Sequence, residues 1–288
     1  MSILPQLIVN SIIAGSVYAL VALGFNLVYS TTKFFNLAHG VVAVIGGYTV
    51  FFLNQKLGVG IILSILIAII FTGIVGFALD KVVYLPLRKR KASNMVLLVA
   101  SLGVFTVLQA VIAMLFTSQF QTLSQSISAT ATYNIFGGII TSVQLIMLIC
   151  AIVIMCGLVL LLKKTKFGKA VRAVGDDEEV AKIIGINTNK IIGQVFFIGS
   201  TIAGLAGILV GFDTGIEPTM GMGLLLKGVI AAIVGGIGNI YGAFLGAFLL
   251  AFVENFGIWK ISGEWKDAIA FAVLILFLLF RPQGIVRK

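Results

Sequence analysis

The densest chemistry in the sequence is a run of four acids, Asp176, Asp177, Glu178 and Glu179, followed by Val180, Ala181, Lys182, Ile183, Ile184 and Gly185. Carboxylates in the first turn of a helix complement the positive end of its dipole. Val180, Ile183 and Ile184 fall on one face, and glycine suits the left-handed residue that stops a helix. The pattern predicts a short amphipathic helix inside the charged segment 163–190. Four acids disfavour an anionic lipid surface, so the helix reads as a knob that docks into a groove of another protein.

Single polar residues elsewhere invite other chemistry. His39, the only histidine, stands beside Asn36 and Gly40 where an apolar stretch opens. A proton relay would need a partner acid, and none is evident nearby, so hydrogen bonding at a helix break is the expectation. Lys227 either snorkels to the outer surface or lines the route and meets a substrate carboxylate. Asp213, Glu217 and Glu254 are expected as solvated charges or protein contacts near that outer surface. Cys150 and Cys156 lie six residues apart in an apolar run, on different faces of a helix, and are expected to be packing residues without disulfide or metal.

The elements that must position these residues belong in a membrane. Of 288 residues, 60% are hydrophobic and only 10% charged, where a soluble domain carries about 25% charged residues. The long charge-free runs have room for eight to nine crossings of about 20 residues each. Without period-2 alternation they do not suit a β-barrel, and a net charge of +10 placed in short loops marks topology, not nucleic acid. Expected spans are 7–29, 34–53, 58–79, 95–117, 139–162, 191–212 and 262–280, with 34–53 open between full crossing and re-entry. Residues 80–94 are expected as a basic loop, and 118–132 as an uncharged polar loop on the other side.

Charge bias puts the basic segments inside, the amino terminus outside and the carboxyl terminus inside. Parity then requires 224–256 to begin and end outside, as a hairpin of two short helices that turns at Gly235-Gly236-Ile237-Gly238-Asn239-Ile240-Tyr241-Gly242. Two small-residue ladders, Gly199/Ala203/Gly207/Gly211 and Gly238/Gly242/Gly246, suit close helix packing within the chain or between subunits. The fold class is therefore all-α and polytopic, one transmembrane domain over 1–288.

Three stretches carry a resemblance: Gly15 to Tyr29 leading to Asn36-Leu37-Ala38-His39-Gly40, the segment Gly168 to Asn187, and Lys227 to Ala243. Together they resemble the permease subunits of branched-chain amino-acid ABC importers, the LivH type, over nearly the whole length. Leu37 stands where the family pattern has Phe. The resemblance implies a non-enzymatic transport subunit in the bacterial inner membrane. A second related permease subunit, two ATPase subunits and an extracytoplasmic binding protein would complete the system. The chain has no phosphate-binding Gly-x-x-x-x-Gly-Lys-Ser/Thr loop, so ATP and magnesium would be bound by the partner ATPase and no cofactor by this chain. Asp176, Asp177, Glu178, Glu179, Ala181 and Gly185 become candidates for coupling to that ATPase. Asn36, His39, Gly40, Lys227, Asn239 and Tyr241 become candidates for the path, with Asn239 and Tyr241 at an inner gate or simply forming the turn. The competing reading is an ion-coupled secondary transporter of small polar solutes, which generally asks for intramembrane carboxylates.

Overall fold

The first apolar run folds as one 30-residue helix, α1 (Ile3–Thr32), with Pro5 in the opening turn, where its missing N–H goes unneeded. In the computed structural model, which describes residues 3–123, 131–135 and 137–286, α1 and α9 (Thr188–Asp213) form the centre of a helical bundle. Each is 72% buried over its most apolar stretch, against 28%, 22% and 17% for the helices starting at Ile61, Asn94 and Ser142. Those three turn residues such as Ile62, Met114 and Leu160 outward, as lipid-facing helices do.

Among the described residues, six helices are long and apolar enough to cross a membrane. With α10 (Met220–Gly235), a shorter apolar helix, and the short helices α2 (Ala38–Phe51) and α12 (Lys266–Phe280), the count is roughly compatible with the expected eight to nine crossings. A π turn at Phe52–Lys56 continues α2 without reversal, so this segment runs about 28 Å and does not double back. It starts deep, because His39 packs on Gly24, eight residues and about 12 Å short of the end of α1. Ser101 holds the approach to α2, accepting from Leu37 N–H at 3.0 Å and donating to Phe35 O at 3.3 Å.

The helix after α2, α3 (Ile61–Leu79), outlasts its expected end. A π turn at Asp80–Tyr84 and α4 (Leu85–Lys89) carry it through much of what reads as a basic loop. Asp80 is fully buried and neutralised within that extension by Arg88 at 2.7 Å and Lys81 at 3.6 Å. Ser93 then caps α5 (Asn94–Phe116).

Beyond α5, residues 124–130 of the expected polar loop lie outside the described residues. Next come two antiparallel strands, β1 (Thr132–Ile135) and β2 (Gly138–Thr141), a small exception to the all-α expectation. The side-chain amide of Gln6 on α1 meets the backbone of β2, accepting from Ile139 N–H at 2.8 Å and donating to Ile139 O at 3.2 Å. Residues 139–141 are therefore strand, and α6 (Ser142–Lys164) starts at a capping box between Thr141 and Gln144.

The expected hairpin is present as α10 and α11 (Ile240–Lys260), joined at 236–239. Its second arm is 21 residues, about 31 Å, so it is a full-length helix and not a short one. Backbone contact between Gly235 and Gly242, and between Gly246 and Ala231, closes the arms on each other. Gly199 and Gly207 likewise meet the backbones of Gly24 and Ala43. Both ladders thus pack within the chain.

The two ends of the bundle differ in charge. One, the basic end, gathers α4, the last turns of α1 and α6, the 236–239 turn and the residues after α12. Ile285 and Val286 N–H donate there to Val234 and Gly235 carbonyls at 3.0 Å each. The opposite end carries the β-hairpin and the loop at 214–219, which a backbone pair between Gln121 and Ile216 ties to the segment after α5.

Candidate functional site

At the basic end the acid run does not form one helix. Asp176 closes α7 (Lys166–Asp176), and Asp177 is the extended residue (φ −151°, ψ 113°) that begins α8 (Glu178–Ile183). Its carboxylate accepts from Glu179 and Val180 N–H at 2.8 and 3.0 Å. Gly185 (φ +86°) ends α8, with Gly185 N–H reaching Lys182 O and Ile186 N–H reaching Ala181 O, both at 3.0 Å. A helix of six residues cannot hold itself by propagation, so caps at both ends matter. Ala181 is buried beneath it, Thr188 Oγ1 donates to Glu178 at 3.2 Å, and Lys182 pairs with Glu178 at 2.7 Å. Val180, Ile183 and Ile184 point away from the protein at 52%, 83% and 66% exposure. The apolar face is therefore unspent on the fold.

From α8 a rigid route leads inward. Val171 and Val174 bury α7 against the bundle, and a side chain at Gly175 would meet Ser30 O of α1 at 2.6 Å. Four residues earlier on α1, buried Asn26 holds the 236–239 turn from both sides. It accepts from Gly238 N–H at 2.6 Å and donates to Asn239 O at 3.1 Å. Asn239 in turn caps α11 through Tyr241 and Gly242 N–H. Tyr241 lies under the Lys163 ammonium at 4.8 Å. A cavity of about 640 Å³ connects Asp176 and Arg172 of α7 with Asn239 and Tyr241. The turn thus sits against the basic-end helices.

Lys227 does not snorkel. It is the eighth residue of α10, 8% exposed, and its ammonium meets Glu254 at 2.6 Å and Asp267 at 2.9 Å. Glu254 is fully buried and accepts a second hydrogen bond from Tyr18 O–H at 2.7 Å. The expectation that Glu254 is a solvated outer charge is therefore corrected: α11 continues six residues past it to Lys260, which puts its carboxylate inside the bundle. Asp213 is partly buried and accepts from Gln144 at 2.9 Å, while Glu217 is exposed and accepts from Thr219.

The remaining path candidates serve the packing around α2. Asn36 is buried and accepts from Tyr84 O–H at 2.8 Å. His39 is buried edge-on to Phe25, with its ring packed on Gly24 of α1. Gly40 allows α2 to cross α10, where a Cβ would strike Leu225 Cβ at 2.9 Å. The six candidates thus fall in three places: the start of α2, the ion pair and the basic-end turn. Cys150 and Cys156 are free thiols, the second exposed on α6 and not packed.

A family model described as the permease component of the branched-chain amino acid transport system matches residues 7–278. The chain belongs to that permease family. It is 33% identical to the high-affinity branched-chain amino acid transport system permease protein BraD of Pseudomonas aeruginosa, over 98% of this chain and 95% of the relative. LivH of Escherichia coli K12, with a corresponding description, is 32% identical over the same shares. A shorter likeness, 35% identity over 42% of this chain and 36% of the relative, is to the autoinducer 2 import system permease protein LsrC of Yersinia enterocolitica. Among solved structures, PsaBC from Streptococcus pneumoniae in complex with Fab aligns over 98% of this chain and 93% of that chain. Its TM-score is 0.51 and its identity 12%, a likeness of fold alone.

Sequence reasoning about this permease missed Tyr18, Asn26 and Glu254. Each is one polar residue in an apolar span, and such a residue shows no partner until the helices are assembled. Reading α11 through to Lys260 would have placed Glu254 nearly two turns inside.

Proposed function

We propose that the chain is the membrane-spanning subunit of a bacterial ATP-driven importer of branched-chain or related α-amino acids. It sits in the inner membrane with the basic end in the cytoplasm, its amino terminus outside and its carboxyl terminus inside. A second related permease completes the translocation path, two ATPase subunits bind ATP and magnesium, and an extracytoplasmic binding protein delivers substrate. The observation that carries this reading is α8, capped at both ends with Val180, Ile183 and Ile184 facing out. Its acids and apolar face suit a groove in a protein better than anionic lipid.

The ATPase would push α8, and α7 would pass the displacement to α1 through Gly175 and Ser30. Asn26 would carry it on to the 236–239 turn, where Asn239 and Tyr241 stand as gate residues. Lys227 enters through its ion pair, which fixes the α10–α11 hairpin as one body. An ion-coupled transporter would want a buried carboxylate such as Glu254, but Lys227 and Tyr18 already hold that group.

Ile183→Glu tests the reading. The side chain is outside the fold, so membrane insertion should be normal while leucine uptake falls to background. Normal uptake would remove α8 as the coupling element. Reversing Asp177 is the poorer test, because it also removes the cap that starts the helix.

A further inference from the structure

At the end of the bundle opposite α8, a cavity of about 310 Å³ opens between α1, α6, the α9–α10 junction, α11 and α12. The volume is at the low end for ligand pockets, suited to a single small molecule. Its charged groups are Asp213, the last residue of α9, and Lys266, the first of α12. Neither makes an ion pair within the chain among the described residues, and the Asp213 carboxylate has only the neutral Gln144 amide at 2.9 Å. A partly buried carboxylate in a membrane protein without a cation is held at a free-energy disadvantage that an arriving ammonium relieves. Ile13, Val17, Val210 and Leu224 supply an apolar wall to the same cavity. Tyr18 also lines it, with its hydroxyl committed to buried Glu254.

One acid, one base and an aliphatic wall match the three parts of an aliphatic α-amino acid. We propose that this cavity is the permease's own receiving site for the zwitterion. Asp213 takes the α-ammonium, Lys266 takes the α-carboxylate, and the aliphatic side chain lies on Ile13, Val17, Val210 and Leu224. The proposal rests on the importer reading and adds to it a specificity step inside the membrane subunit, after delivery. Through Tyr18 the occupied cavity touches the Lys227–Glu254 pair, so substrate arrives against the group that joins α1, α10 and α11.

The test is leucine import by proteoliposomes holding the complete complex with its ATPase and saturating binding protein. Asp213→Asn and Lys266→Met should each raise the KM by about ten-fold, the loss of one charge-assisted hydrogen bond, with a smaller change in kcat. The exchange D213K/K266D should recover part of that loss, which a merely structural role would not give. Wild-type KM in both single variants overturns the site, as does an assembled exchange variant no better than the singles. Should wild-type complex import another α-amino acid but not leucine, with the same response to the variants, the site stands and the branched-chain reading falls. Import of no α-amino acid by a complex that hydrolyses ATP overturns both.

Discussion

Two ion pairs of nearly equal length play opposite parts in this permease. Lys182 meets Glu178 at 2.7 Å on α8, and Lys227 meets Glu254 at 2.6 Å in the bundle. The first is a solvated i, i+4 pair, with its side chains 53% and 34% exposed, so water and salt already satisfy most of what each charge needs. The second has a carboxylate with no exposure at all, and removing its partner would leave a buried charge with no cation and only the Tyr18 hydroxyl to meet it. Distance alone says nothing about the strength of either. Surroundings decide, and they divide the molecule into a bundle whose polar groups hold it together and a basic end whose exposed groups remain available to a partner.

That contrast can be broken most directly at Lys227. Lys227→Met should destabilise the purified protein by about 3–5 kcal/mol, since Glu254 is left buried without its cation. The loss would be read as a fall in thermal unfolding midpoint in detergent. The double variant K227M/E254L should recover most of it, and a double variant as unstable as the single would show that packing, not charge, makes the site. Next in size, Tyr18→Phe removes one hydrogen bond to the buried carboxylate and should cost about 1.5–3 kcal/mol in the same measurement. Smallest is Lys182→Ala, expected within a few tenths of a kcal/mol and insensitive to salt beyond that. A loss above about 1 kcal/mol there would place α8 inside the cooperative fold and erase the distinction.

The parts legible in the sequence are those set by local rules. The long apolar runs announce α1, α3, α5, α6 and α9 because lipid demands a helix of about 20 residues. Parity of the basic segments exposes the α10–α11 hairpin, since charge bias constrains a count. Gly185 announces the end of α8 because a left-handed stop favours glycine. Less legible were features that arise between distant residues. Tyr18 and Glu254 are 236 positions apart, and Asn26 and Gly238 are 212 apart. No spacing rule joins them. Strand β2 was hidden within an apolar run that reads as helix, because its pairing with β1, and the Gln6 side chain of α1 on Ile139, appear only once the chain is folded. The Asp80 extension was masked by its own cations, which look like a loop until Arg88 turns back to Asp80 across the π turn.

The burial of α1 also sets an order of events in time. Synthesis delivers this helix long before α9, α10 and α11, yet those three supply most of its contacts, α11 supplies the partner of Tyr18 and the 236–239 turn supplies the partners of Asn26. Until they arrive, the tyrosine hydroxyl and the asparagine amide wait in lipid, a state that a span of mean hydropathy 2.0 can sustain. Lys227 and Glu254 face no such delay, because neighbouring arms of one hairpin bring them in together. Insertion of that hairpin as a neutral pair, followed by closure around the waiting helix, makes the last third of the chain the step that turns a set of inserted spans into a folded permease.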